Sequence, residues 1–454
     1  METLYAGTSR IEITPPLSVP YLGYVPRQAY FEGVHDPLHA RALVVSDGRK
    51  EVAVIAVDAI GFSDRILGPG RSFRAEFLRA VEARTGIGPE QVMLAASHAH
   101  STPETLDITP LYEVEGAVAW LEQLCKQLAE VTAEAQEKMQ PARVKWGKGC
   151  ARGIAVNRRQ LLRDGRLYQP SMGTPSSPIV RPGEVDEEVG MLLFEFEDGA
   201  YSVLCNFTCH PVSVQVQPLV SADYPGAACR LVEETAPGCR HCLFTQGAAG
   251  DVNPVGGGQR RDFGEAARYG QILGGELLKL AARLRAPGTG ELPPVVDAAV
   301  EEVGLSVRDL PDPEPYRQAA ARARAEADRA EREEERFSRL NQARAAEEAL
   351  RVIGMGSDPV QSLVQVVRIG EVGLVGCPGE LFVSLGREIK QQAAAPGVMV
   401  VGYANDYVGY LSTPIAFEEG GYETALGPWC RIGPEGGRRV VDAGLRLVLR
   451  LWRE

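Results

Sequence analysis

Two of the chain's six histidines, His98 and His100, stand two residues apart at the end of an apolar run, Gln91-Val92-Met93-Leu94-Ala95-Ala96. The run predicts a buried strand. Residues i and i+2 of a strand share a face, so the pair is expected to project together from the strand's exit. Neutral imidazole is a metal ligand and the usual acid or base near neutral pH. Two hydrogen-bonded rim histidines have the same spacing, so the pair alone does not decide. A third histidine, His210, comes just after the strand-like stretch Tyr201 to Phe207. Glu380 follows Val372 to Val375, and Tyr407 and Tyr410 follow Val398 to Val401. Each is a polar group past the end of a hydrophobic strand, and sites in α/β sheets gather there. Two imidazoles and a carboxylate suit a catalytic zinc that keeps one position open for water.

The elements that must position these groups read as an α/β fold. A large mixed β-sheet core flanked by helices is expected, with a charged helical hairpin inserted in it. Asp47-Gly48 and Asp198-Gly199 each separate two apolar runs and predict hairpin turns. Asp58 closes a strand and is expected to cap the next segment as a helix. Helices are expected from Ser72 to Thr85 and over Val118, Leu121, Leu124, Cys125, Leu128 and Val131, which recur at helical spacing before Pro141. A helical stretch from Asp223 through Glu234, another from Leu381 and a last one from Val440 to Leu451 complete the pattern. The Pro-, Ser- and Gly-rich segment 173–184 reads as a surface loop. Residues 312–352, rich in Ala, Arg and Glu, form the solvated hairpin.

The totals narrow the class. The chain has 454 residues, 44% of them hydrophobic, and a net charge of −12. That is ample for one large α/β unit, and the acidity argues against nucleic acid as a partner. Met1 to Gly7 is no charged-then-apolar leader, and no apolar run reaches membrane-spanning length. A cytoplasmic protein with reduced thiols at its nine cysteines is therefore expected. Cys239-Arg240-His241-Cys242 has no second cysteine pair at finger spacing and reads as a small buried or loop cluster. His241 reads as structural, and so do His35 and Asp36.

Several motifs in order resemble the catalytic domain of the neutral/alkaline (non-lysosomal) ceramidase family. They are Ile11-Glu12-Ile13-Thr14-Pro15-Pro16, Gly33-Val34-His35-Asp36-Pro37-Leu38, Ser97-His98-Ala99-His100-Ser101, Asn206-Phe207-Thr208-Cys209-His210-Pro211, Gly250-Asp251-Val252-Asn253-Pro254 and the tyrosine-rich block from Asn405 to Glu423. The resemblance runs over most of residues 5–430. It implies a zinc amidase with one Zn²⁺ held by His98, His210, Glu380 and Tyr410. It also implies that His100 moves protons, that Arg158 lies near the scissile amide, and that Tyr422 is a further site tyrosine. Asn253 stands where the family usually has serine; its amide can donate to a carbonyl but cannot act as a nucleophile. The chain stops at Glu454, without the C-terminal β-sandwich of longer members, so residues 1–454 are expected to be one hydrolase domain. The leading expectation is a zinc-dependent hydrolase of an N-acyl amide, either ceramide-like or smaller. The alternatives are a zinc esterase or lactonase, or an inactive homologue that binds a ligand or partner through the 312–352 hairpin.

Overall fold

Apolar runs joined by Gly-containing turns form an eight-stranded mixed sheet. In a computed structural model, which describes residues 3–21, 30–170, 173–215, 217–256 and 262–453, its strand order is Cys239–Gln246, Tyr201–Phe207, Glu188–Phe196, Gln140–Cys150, Leu4–Glu12, His39–Ser46, Glu51–Val57, Val92–Ala96. Both expected hairpins are present, with φ of 85° at Gly48 and 80° at Gly199. The two pairs at the sheet's edges are parallel. One delivers His210 and the other His98.

A four-stranded sheet, Val296–Leu305, Val360–Ile369, Val372–Gly376 and Gly397–Val401, packs face to face on the first. Leu43, Val54, Met93, Leu192 and Leu204 of the larger sheet share a buried cluster with Val367, Leu374 and Met399 of the smaller. Helices cover the outer faces. Phe73–Thr85 and Ala117–Glu137 pack on one half of the larger sheet, and Asp223–Thr235 and Phe263–Leu284 on the other. Val383–Gln392 and Gly436–Arg453 cover the smaller sheet. The result is four layers, helix, sheet, sheet, helix. Each Val, Leu, Ile, Phe or Met side chain buried between them contributes about 1.5–3 kcal/mol.

Local signals set the helix ends. The Ser72 hydroxyl accepts from the Ala75 N–H at 3.0 Å, and Gly86 closes the same helix at φ 74°. The charged insertion is the predicted hairpin, Glu314–Arg329 and Glu333–Gly354. Buried alanines, among them Ala320, Ala323, Ala343 and Ala346, line both helices. At its base the Arg351 guanidinium donates to Asp107 Oδ1 at 2.9 Å and to the Ile108 carbonyl. The insertion is thereby tied to the loop after His100.

Two expectations are corrected. Asp58 is not a helix cap: it is buried, and accepts from the His39 N–H at 2.9 Å and from Arg41 at 3.2 Å. Segment 173–184 is not all loop, because Ile179–Arg181 pairs with Gln160–Leu162. All nine cysteines are free. His241 bonds Thr8 at 2.8 Å and Asp36 accepts from Ser221, as structural residues do. Among the described residues no helix is long and apolar enough to cross a membrane.

Gly250 lies where two site loops touch. A Cβ there would fall 2.4 Å from the Glu380 carbonyl oxygen. Gly250→Ala is expected to destabilise the protein by about 1–3 kcal/mol through overpacking. A lower denaturant midpoint checks this, and an unchanged midpoint would contradict the packing.

Candidate active site

The histidine pair is made by a turn, not by strand periodicity. The strand Val92–Ala96 ends before His98, which has φ 66°. This left-handed conformation is uncommon outside glycine. It is held because Ser97 N–H donates to the Val57 carbonyl at 2.9 Å and His98 N–H to the Ala59 carbonyl at 2.8 Å. The expectation that both imidazoles leave one strand face is thus replaced. His210 lies past Tyr201–Phe207, with its N–H on the Val252 carbonyl at 2.9 Å. Glu380 opens the short strand Glu380–Leu381, which runs parallel to Tyr410–Leu411 with Glu380 and Tyr410 in register.

The four polar tips meet in the interior. His98, His210, Glu380 and His100 are 1%, 1%, 3% and 5% exposed. His98 Nδ1 lies 2.5 Å from the Ile60 carbonyl, and His210 Nδ1 lies 2.6 Å from the Ala249 carbonyl. A carbonyl only accepts, so each Nδ1 carries a hydrogen. Burial pushes all three imidazole pKa values well below the usual 6.5, so the rings are neutral and Nε2 of His98 and His210 is a bare lone pair. Glu380 Oε2 stands 3.1 Å from His210 Nε2 and 3.6 Å from His98 Nε2. Its Oε1 accepts from the Tyr407 hydroxyl at 2.7 Å. His100 Nε2 is 3.3 Å from His98 Nε2 and, facing a lone pair, carries the hydrogen of that bond.

This donor set fits a small divalent cation. Four-coordinate zinc, with bonds of about 2.0–2.1 Å, sets neighbouring ligand atoms ~3.3 Å apart. The 3.1 and 3.6 Å separations bracket that value. The carbonyls behind both Nδ1 atoms match the outer support that orients metal-binding imidazoles. The ligand atoms of His98, His100 and His210 also lie within 4.8 Å of one another, a three-histidine group able to hold a metal ion.

Arg158 links this centre to the rest of the site. Its main-chain N–H is fixed on the Asp251 carbonyl at 2.8 Å. The guanidinium donates to Glu423 Oε1 at 2.8 Å, Asn253 Oδ1 at 3.1 Å, the Gly250 carbonyl at 2.7 Å and the Tyr410 hydroxyl at 2.6 Å. Among the described residues four of its five N–H groups are thus used, and one on the Asn253 side remains. Tyr422 packs its ring 5.9 Å from the guanidinium. The fold therefore gathers His98, His100, His210 and Glu380 at one point. It sets Tyr410 beside Glu380 and groups Asn253, Tyr410 and Tyr422 around Arg158. The hydroxyl that bonds Glu380 is Tyr407's; that of Tyr410 is on Arg158.

Three participants have no role assigned from sequence, although Asp251 and Glu423 lie in the motifs named above. Glu423, 1% exposed, also accepts from Arg159 at 2.6 Å and so bridges two buried arginines. Asp251 accepts from Asn157 Nδ2 at 2.9 Å and from the Val383 N–H at 2.8 Å, and burial raises its pKa to about 6. Tyr403 stacks on His98 at 3.9 Å, its buried hydroxyl without a hydrogen-bond partner among the described residues. The Gly-Asp-Val motif and the tyrosine-rich block were the available signals.

An α/β protein with buried histidines converging beside a carboxyl group belongs to the class of candidate metal-binding enzymes. A family model described as "Neutral/alkaline non-lysosomal ceramidase, N-terminal" matches residues 5–270, and the chain belongs to that family. A neutral ceramidase of Mycobacterium tuberculosis is 24% identical over 474 residues, covering 90% of this chain and 71% of that protein. A neutral ceramidase of Drosophila melanogaster is 24% identical over 277 residues, covering 56% of this chain and 36% of its relative. The crystal structure of neutral ceramidase from Pseudomonas aeruginosa has the same fold, with a TM-score of 0.71 at 20% identity over 99% of this chain and 75% of that one. A ceramidase complexed with C2 gives 0.72 at 18% identity, over 100% of this chain and 76% of that one.

The buried charges lead to two expected outcomes. In metal-free protein the three histidines titrate near 6.5 only when unfolded, so the unfolded chain binds more protons below that pH. Stability is expected to be complete above about pH 6.5 and to fall just below it, by at most about 1.4 kcal/mol per pH unit per histidine, while the raised pKa values of buried Asp223, Asp251 and Asp406, each about 6, offset part of the fall at lower pH. Urea midpoints of chelated protein across this range check the slope, and a flat profile would contradict it. Glu423→Ala leaves buried Arg158 without its carboxylate and Arg159 with only the longer contact to Glu419 at 3.5 Å, and is expected to cost about 3–5 kcal/mol in denaturant unfolding.

Proposed function

We propose that the chain is a zinc-dependent hydrolase, with one ion per molecule, that cleaves the amide bond of an N-acyl substrate. Ceramide or a smaller N-acyl amine is the substrate class. One observation carries the reading: two bare imidazole nitrogens and a carboxyl oxygen converge at cation-site spacing in the interior. Family membership and the names of the relatives support the amide as the bond attacked.

His98, His210 and Glu380 would hold the ion, with Tyr410 as the fourth ligand. When bound, zinc lowers the pKa of water to about 7 and polarises a carbonyl. The chain's own residues do the rest. The remaining Arg158 N–H, the Asn253 amide and the Tyr422 hydroxyl donate to the carbonyl oxygen as charge builds on it. The Arg158–Asn253 bond turns Oδ1 toward the guanidinium, which leaves the amide N–H₂ for substrate. His100 takes up the proton that the attacking water gives up and passes a proton on to the leaving nitrogen, so the ring ends neutral as it began. The bond from water oxygen to the acyl carbon forms, the C–N bond breaks, and the products are a carboxylate and an amine. Asn253 has no nucleophilic oxygen, so hydrolysis is direct and passes through no acyl-enzyme at that position.

A set of N-acyl amides and matched esters, assayed with zinc and with chelator, tests the proposal. Free amine is expected only with metal. Ester cleavage without any amine release would make the protein an esterase instead. His98→Ala and His210→Ala are each expected to reduce bound zinc from about one per chain to near none, with activity lost in parallel. Full zinc occupancy in both variants would refute the ligand assignment.

A further inference from the structure

A second group of charged side chains converges on a cavity of about 360 Å³ beside the helix Asp223–Thr235. The strands Leu4–Glu12, His39–Ser46 and Cys239–Gln246 supply its other walls. Four guanidinium groups, of Arg10, Arg41, Arg230 and Arg240, line it together with the carboxylates of Asp58, Glu233 and Glu234. None of these residues belongs to the candidate active site.

Arg41 has donors to spare. It is 4% exposed. Its Nε donates to Glu233 Oε1 and its Nη1 to Asp58 Oδ2, each at 3.2 Å. Among the described residues the other three of its five N–H groups have no partner. Two of them are on Nη2, which is not sealed from solvent and opens on the cavity. The inner carboxylates have no matching surplus. Glu233 also accepts from Arg10 and, at 2.9 Å, from the Cys242 N–H, and Asp58 accepts from the His39 N–H at 2.9 Å. Glu234 is exposed at the rim. A buried charged donor without an acceptor is costly, so the space in front of Nη2 suits a negatively charged acceptor.

The remaining lining adds donors and little apolar surface. Arg230 makes no hydrogen bond among the described residues and stands 3.8 Å from Asp36 Oδ1. Arg240 donates to Asp198, with its guanidinium carbon 4.6 Å from the Phe196 ring centre. Burial and the Arg41 charge hold the His39 pKa below the usual 6.5, so that ring is neutral and offers one N–H. Planar guanidinium groups match the paired oxygens of a phosphate. Pro37 and Gly226 give too little apolar wall to hold an acyl chain. We propose that this cavity binds a free phosphate-class dianion, inorganic phosphate or a small phosphate ester, through the spare N–H groups of Arg41 and Arg230. The proposal stands independently of the hydrolase reading above.

Calorimetric titration of the full chain with inorganic phosphate tests this. Saturable binding of about one phosphate per chain is expected, and it is expected to be the same with chelator present, because the candidate metal centre takes no part. Arg230→Glu, at the partly exposed wall, is expected to weaken binding about tenfold, the worth of one hydrogen bond to a charged group. Arg450→Glu makes the same change of net charge on the helix Gly436–Arg453, which covers the smaller sheet, and is expected to leave binding unchanged. Absence of saturable binding, binding that chelator abolishes, or equal weakening in Arg230→Glu and Arg450→Glu overturns the assignment. Vesicles containing phosphatidic acid separate the two sources of a phosphate group. If they bind the chain while free phosphate does not, the anion belongs to a membrane surface and the proposal of a free ligand is likewise overturned.

Discussion

The site depends on holding hydrogen-bond acceptors against one another away from water. Nε2 of His98, Nε2 of His210 and Oε2 of Glu380 are natural cation ligands, yet the interior must bring them together before any cation is present. Leaving buried polar atoms unsatisfied costs about 1–3 kcal/mol each. The fold meets that cost from behind. Main-chain carbonyls of Ile60 and Ala249 fix the far nitrogens of the two rings, and the Tyr407 hydroxyl fixes the other oxygen of Glu380. These anchors come from different stretches of chain, so the spacing arises from the whole sheet arrangement rather than from one loop.

A second constraint binds the halves of the site together. Glu423 lies between Arg158 and Arg159, and Arg158 reaches Gly250, Asn253 and Tyr410 at the same time. One buried guanidinium thus fixes three segments that are remote in sequence. Burying such charges is tolerable only when each is paired and hydrogen-bonded. The network orients the one Arg158 N–H left over and the Asn253 amide, the two groups suited to meet a substrate oxygen. The same segment carries Tyr422, whose ring lies 5.9 Å from the Arg158 guanidinium.

Much of this was legible in the chain. Apolar runs ending in His98, His210 and Glu380 marked strand exits, and strand exits are where the side chains converge. The Asp-Gly turns, the helix expected from Ser72 to Thr85 and the charged insertion also read directly, because each depends on local chemistry. What failed depends on distant partners. Strand periodicity misplaced the His98 turn, since the remote carbonyls of Val57 and Ala59 hold that residue left-handed. Asp58 resembles a cap until Arg41 is seen beside it. Tyr403 carries no signal of its own, and Glu423 only its place at the end of the tyrosine-rich block; their roles arise from what remote segments place against their tips.

Zinc K-edge absorption of the metal-loaded protein tests the central claim most directly, because it counts imidazoles and identifies the neighbouring atoms. The account predicts a first shell of nitrogen and oxygen at about 2.0–2.1 Å with two imidazoles and no sulfur. A shell containing sulfur, or one with three imidazoles in which His100 takes the place of Glu380, would contradict it.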